Sequence, residues 1–466
     1  MTVTSPRPPR PVRLPGRAVD PEALIEEARR RQRRRRRGLA AAVLLLAALA
    51  AALYGLLVAS SNRASAPGTG GAAAASRHCP RVDLGLVAFV RAGALSVVSL
   101  ESCRTRTLVR GREVGTPSFS SDGRYVAFGN GYVAASGGPV HRLAGGGVWS
   151  PRGDLLAVVT AKGGLELLNA RSGKLRRLIP DGWGAGDPVF SPDGRTLAVT
   201  RHARPRRALK PIPGRLITPW GLQVWLVDIA SGARRLVLPR EASEQLVDLS
   251  FAPDGRWLIA HAYPDSASLA ADGMPLVAIN LRSGNVVEIG LTLAHPNVMT
   301  WCGGKLVYAT DFGGRISTMG EGIAAAAPPS WQPETILAAG GKTSWNSVDC
   351  TAADELLIAA GPASEDSPFG QEHRTLYRMS LNTNAPPTPI TPAAPPTGTT
   401  DELPLWSAND RWLLFVRTKP NGIGGHGALY AVDLANGKLV GPIANLGHTG
   451  NYYGSYGWAS QIAWYR

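Results

Sequence analysis

The sequence contains no C-x-x-C pair, no Cys/His spacing that would cage zinc and no G-x-S-x-G nucleophile elbow. Beyond the first sixty residues it also has hardly any stretch in which apolar side chains recur with helical period. The missing helical pattern argues against bundles and doubly wound α/β folds. The missing motifs leave no reason to expect a metal or a cofactor. Charge is absent too from one segment, since no residue between Gly38 and Ser60 is charged.

That uncharged run has 23 residues, and at about 1.5 Å per residue it spans roughly 34 Å, enough for a bilayer core of about 30 Å. Residues 1–37 carry 12 Arg against 4 acidic residues, a balance of +8 (12 − 4), which is half of the net +16. Arg29 to Arg31 and Arg33 to Arg37 abut the run, and only Arg63 stands just past its other end. By the positive-inside rule this predicts a largely disordered basic cytoplasmic tail (1–37), a transmembrane helix (38–60), an extracytoplasmic linker (61–82) and everything later outside the cell membrane. The rival is a cleaved signal peptide with Ala64-Ser65-Ala66 at the cut, but the apolar run exceeds the roughly 7 to 15 residues of such a core. An Arg block can also neutralise nucleic-acid phosphates. Beside a span it reads as a topology signal, and no nucleic acid is expected.

Gly and Pro are plentiful at 54 and 37, and after the linker one pattern recurs: an aromatic, a small polar residue, a turn, then an apolar strand. Phe119-Ser-Ser-Asp-Gly-Arg-Tyr-Val-Ala-Phe128, Trp149-Ser-Pro-Arg-Gly-Asp-Leu-Leu-Ala-Val158 and Phe190-Ser-Pro-Asp-Gly-Arg-Thr-Leu-Ala-Val199 are good copies. Phe251 to Ala260 and Trp406 to Phe415 continue the series, and weaker copies start at Trp301, Asp349 and Trp458. Pro presets φ, Asp bonds the backbone two residues on and Gly accepts positive φ, so the motif joins antiparallel strands tightly. Asp122, Asp193 and Asp254 are therefore read as structural turn residues. A later Asx-x-x-Ser/Asn-Gly element, as in Val224 to Gly232 and Leu429 to Gly437, reads as a second hairpin in each unit.

These residues resemble the TolB-type propeller repeat, a relative of the WD-type repeat that also occurs in prolyl oligopeptidase enzymes. The resemblance covers residues 83–466 and implies an all-β propeller of four-stranded blades, eight in number or alternatively seven. Seven units are complete, and an eighth is split, with Leu86 to Val90 and Leu95 to Leu100 as its N-terminal part and Tyr456 to Tyr465 supplying the missing strand. Such closure removes open sheet edges. Four cysteines allow three pairings. Cys302 and Cys350 hold the same place in neighbouring units, and Cys79 precedes the unit that holds Cys103, so Cys79 with Cys103 and Cys302 with Cys350 are the expected disulfides.

In each blade the strand 1–2 and 3–4 turns share one face, and the 2–3 and 4–1 connections share the other. Long 2–3 loops are read at Arg201 to Gly221, His261 to Met274, Asp311 to Pro333, Gly361 to Arg374 and Arg417 to Gly427, which makes that face the candidate binding surface. The first loop holds Arg201, His202, Arg204, Arg206, Arg207, Lys210 and Arg215, a set suited to an anionic envelope polymer, a lipid headgroup or an acidic protein. The plainer reading is a solvated basic loop that keeps the domain soluble. No aromatics interleave with its Arg residues, as single-stranded nucleic acid would require. The residues after the last motif end at Arg466 and leave no room for a hydrolase domain of the oligopeptidase kind. His202, His261, His373 and His426 fall in or beside the loops and could meet acidic neighbours such as Asp265, Asp311, Glu372 or Asp366. As surface histidines they need no role. The expected function is thus a membrane-anchored interaction module of the cell envelope that binds protein or glycan and is not an enzyme. The alternative is an envelope hydrolase or lyase with its site on the long-loop face.

Overall fold

The computed structural model describes residues 79–466 apart from 112–113, 204–220, 239–244, 264–272, 293–296, 311–319, 352, 364–372, 384, 391–392, 422–423 and 453–454. The expected tail, span and most of the linker lie outside the described residues. Among the described residues no helix is long and apolar enough to cross a membrane.

Each repeat begins with the turn that its motif encodes. Ser120 Oγ donates to Asp122 Oδ1 at 2.8 Å, and the same oxygen accepts the Arg124 N–H at 3.1 Å. Ser191 and Asp193 repeat the arrangement at 2.6 and 3.0 Å, and Ser407 with Asn409 at 2.7 and 3.2 Å. At Asp254 the Arg256 N–H bond is present at 2.9 Å. The Ser191 hydroxyl holds the Asp193 carboxyl below its ordinary range. These aspartates are thus occupied in closing turns, with Gly194 at φ 70° completing one of them.

The hairpins assemble into eight antiparallel sheets. Seven are consecutive meanders whose first strands are Pro117–Phe119, Gly147–Trp149, Ala185–Phe190, Gln245–Phe251, Met299–Cys302, Thr343–Cys350 and Thr400–Trp406. These define blades 1 to 7. Blade 8 takes Leu86–Arg91, Ala94–Ser99 and Thr105–Arg110 from the N-terminal side and Ile462–Tyr465 from the C-terminus, which pairs with the first of these. First strands of most neighbouring blades touch one another, so they ring the axis. Each apolar cluster joins facing sheets: Ala198, Val224, Leu258 and Ala260 between blades 3 and 4, and Leu357, Ala359, Leu413 and Phe415 between blades 6 and 7. The cysteines form Cys79–Cys103 and Cys302–Cys350 disulfides.

Several expected loops prove to be strand. Arg201 to Ala203 end the strand Thr196–Ala203 and pair with Gly221 to Gln223. The segment read as a loop from Asp311 to Pro333 contains Ile323–Ala326, the third strand of blade 5. Arg417 to Gly427 is a hairpin, because Trp412–Asn421 and Gly424–Asp433 pair along their whole length. A run of small apolar residues and a glycine-rich run carry little β-propensity, and sheet pairing overrides it. Trp458, read as the start of a copy, lies in a 3₁₀ turn, while the strand is Ile462–Tyr465.

Candidate active site at the propeller axis

Innermost strands bulge near the long-loop end of the axis. Register shifts fall between Gly186 and Val189, Val247 and Ser250, Trp345 and Val348, and Glu402 and Leu405. Three bulge residues take left-handed backbone, Asp187 at φ 40°, Asp248 at 54° and Leu403 at 53°. Such conformations cost about 1–3 kcal/mol outside glycine and persist where the surroundings enforce them.

In blades 3 and 4 the bulge builds one polar device twice. Thr200 Oγ1 donates to Asp187 Oδ2 at 3.4 Å, and His261 Nδ1 donates to Asp248 Oδ2 at 3.2 Å. Thr200 and His261 hold matching places on the second strands, opposite Gly186 and Val247. The imidazole is buried at 3% side-chain exposure, whereas the Asp248 side chain is 65% exposed, so the carboxylate is presented and the ring backs it. The hydrogen bond from His261 holds the Asp248 carboxyl below its ordinary range, although burial pushes the other way. In blade 7 the bulge residue is Leu403, so one side of the axis is acidic and the other apolar. A cavity of about 130 Å³ on the apolar side is lined by Asn297, Leu403, Leu405, Ala459, Ile462, Trp464 and Arg466. Arg466 reaches Asp349 at 3.6 Å and the Trp406 carbonyl, which ties blades 6, 7 and 8 together at the tight-turn end.

Behind the rim lies a sealed ionic layer. Arg374 bonds Glu402 at 2.7 Å with both side chains almost wholly buried, and Arg417 makes a bidentate pair with Asp401 at 2.8 and 2.7 Å. Burial raises Asp401 to about 6 against the pull of Arg417. Burial also raises Glu402 to about 7 against the pull of Arg374, with Asp401 adding to the rise. Desolvation outweighs the guanidiniums because both carboxyls have lost their water.

Of the basic set, Arg201 is half-buried, donates from Nε to the Trp183 carbonyl at 2.9 Å and stacks 4.6 Å over the Trp183 ring. His202 is in the strand beside it, and Arg204, Arg206, Arg207, Lys210 and Arg215 lie outside the described residues. Asp265, Asp311, Asp366 and Glu372 lie outside them as well, and His261 takes Asp248 instead. Cys302, Cys350 and Asp354 also converge, but the disulfide commits both sulfurs. The sequence does hold a signal for the paired device: Asp187-Pro-Val-Phe190 and Asp248-Leu-Ser-Phe251 place an aspartate three residues before the motif aromatic.

No family model matches the chain. A protein of Bacillus subtilis described as an uncharacterized peptidase, YuxL, is 27% identical over 139 residues, covering 24% of this chain and 21% of that protein. Porphyromonas gingivalis dipeptidyl peptidase 4 is similar in fold, with a TM-score of 0.51 and 14% identity over 81% of this chain and 60% of that one. The dihydro-heme d1 dehydrogenase NirN, at TM-score 0.50 and 19% identity, covers 81% of this chain and 76% of its own. The expectation of a non-enzymatic interaction module is corrected on this ground: the relative in sequence carries a peptidase name, which favours the enzyme alternative. At these identities the structural neighbours establish the propeller fold and nothing finer.

Proposed function

We propose that the protein is an enzyme of the cell envelope, a peptide hydrolase whose propeller axis receives the amino-terminal end of its substrate. It would be held at the membrane by residues 38–60, with repeats of the TolB type outside. One observation carries the reading: Asp248 is exposed, kept ionised by a buried imidazole and repeated by Asp187 in the next blade. A peptide's amino terminus is an ammonium, and fixed carboxylates at a half-enclosed rim attract it more strongly than carboxylates in open water. The apolar wall of Leu403, Leu405 and Trp464 suits the adjoining side chains of such a substrate.

The test uses the full chain in detergent and paired peptides that differ only in N-acetylation. Free-amine peptides should be turned over, and acetylation or D248N should raise KM about tenfold or more while kcat changes little. Equal KM for acetylated and free peptides, or for D248N and the parent, would remove Asp248 from the site.

A further inference from the structure

The hairpin that extends blade 7 on the long-loop face carries a second chemical feature, independent of the axial aspartates. Gly424–Asp433 and Lys438–Tyr452 pair so that His426 stands directly opposite His448. Both side chains are exposed, and their rings lie 5.2 Å apart between centroids at 69°. A metal bound through a ring nitrogen at about 2.0 Å sits about 3.2 Å from that ring's centroid, so two imidazoles on a tetrahedral ion have centroids about 5.2 Å apart. Edge-to-face packing of rings gives similar values, as for Trp345 with Tyr377 at 5.4 Å and 73°, so the geometry is compatible with a shared ion and the titration below decides between the two.

The glycines around the pair sort by face. Gly425 and Gly427 are needed on the other side of the hairpin, where an added Cβ would meet Thr418 Cγ2 at 2.5 Å and the Trp458 ring at 2.4 Å. Gly424 lies on the histidine side, and a Cβ there would stand 2.4 Å from the Thr449 carbonyl oxygen and 2.6 Å from both Cε1 and Nε2 of His448. The Thr449 backbone alone thus calls for glycine at 424, and the His448 ring fills the space beside it. On the other flank, His426 pairs with Lys419.

We propose that His426 and His448 form a two-imidazole site for a borderline transition-metal ion such as Zn²⁺. The pair includes no carboxylate and stands beside a lysine, so a hard ion such as Ca²⁺ or Mg²⁺ has nothing to hold it. Imidazole nitrogens bind Zn²⁺, Ni²⁺ or Cu²⁺ by donor strength instead. Two protein ligands leave further positions on the ion for water or another ligand. The proposal does not rest on the peptide-hydrolase reading.

Untagged full-length protein in detergent would be titrated with Zn²⁺ by calorimetry, and with Co²⁺ to follow its visible absorption. One saturable site per chain is expected. H426Q and H448Q should each weaken it roughly tenfold or more, and the double variant should be little worse than either, because one imidazole alone does not chelate. H141Q, which alters an imidazole stacked on Tyr132 at 4.6 Å between ring centroids, should bind as the parent does. Metal-free melting temperatures of all variants should agree, which separates ligation from folding. Parent-like binding by both H426Q and H448Q, or the absence of a saturable site in the parent, would overturn the assignment.

Discussion

Glu402 and Asp401 show how a single residue ties this fold to pH. Their carboxyls titrate at about 7 and about 6, above the ordinary 4.5 and 3.8, because burial disfavours the charged forms. A carboxyl raised in the folded state binds its proton more tightly there than in the unfolded chain. Its stabilisation is therefore complete below about pH 4, shrinks as pH rises and is gone once pH passes the folded value. Wild type should lose on the order of 3 kcal/mol between pH 4.5 and 8 relative to E402Q, whose amide does not titrate. Parallel melting curves for the two across that range would show that Glu402 is ionised throughout. At this scale the sequence was only partly readable. The turn aspartates announce themselves because Ser, Asp and Gly act locally, whereas Asp248 and His261 meet only through a bulge and a strand register. Asp248 leaves only the trace it shares with Asp187, its place three residues before the motif aromatic, and His261 leaves none.

Elements of the sheet show a second device that repeats with the blades. Arg176 and Arg235 occupy matching places on outermost strands, opposite Leu167 and Leu226. Arg176 reaches into blade 3 to the Ile229 carbonyl and to the Ala230 carbonyl at 3.0 Å, and Arg235 reaches into blade 4 to the Leu281 carbonyl at 2.9 Å. Each guanidinium thus fastens its blade to the turn of the next. R176A and R235A should each cost about 1 kcal/mol in urea unfolding, since these bonds are charge-assisted yet only partly buried. The double variant should show the sum, because the two act at different blade boundaries. A double variant no weaker than one single would mean that the blades do not transmit these contacts independently. The Cys302–Cys350 bridge acts on the same scale and encloses a 48-residue separation. By chain entropy C302A/C350A should cost about 4 kcal/mol. Strand positions were least readable where composition is poorest. Ile323–Ala326 is one isoleucine and three alanines, and its identity as a strand comes from Lys305–Ala309 and Glu334–Leu337 on either side.

For the whole molecule, the decisive element is the short last strand. Ile462–Tyr465 gives blade 8 its innermost strand, and the Trp464 indole donates to the Leu84 carbonyl at 2.7 Å, so the end of the chain is bonded to its first described strands. The turn before it is fastened to the blade 7 hairpin by Trp458 Nε1 on Thr418 and Gln461 Nε2 on Thr449, both at 2.8 Å. This closure was legible because only an incomplete unit at each end can combine into one blade, and eight sheets follow from that count. Deleting residues 462–466 would strip Ile462 from the cluster it shares with Val87 and Phe89 and leave the Leu86–Arg91 edge open. Lost burial of Ile462, Trp464 and Tyr465 amounts to on the order of 5 kcal/mol, and an open apolar edge strand recruits other chains. The truncated protein should therefore unfold at lower urea with a shallower slope and associate with rising concentration in light scattering. R466A keeps the strand and loses the contacts to Asp349 and Trp406 and the guanidinium over the Trp464 ring, so it should remain monodisperse. Were the truncated chain to unfold with the parent's slope and midpoint, the ring would be held shut by its inter-blade faces alone, and the terminal strand would be a passenger on a propeller already closed.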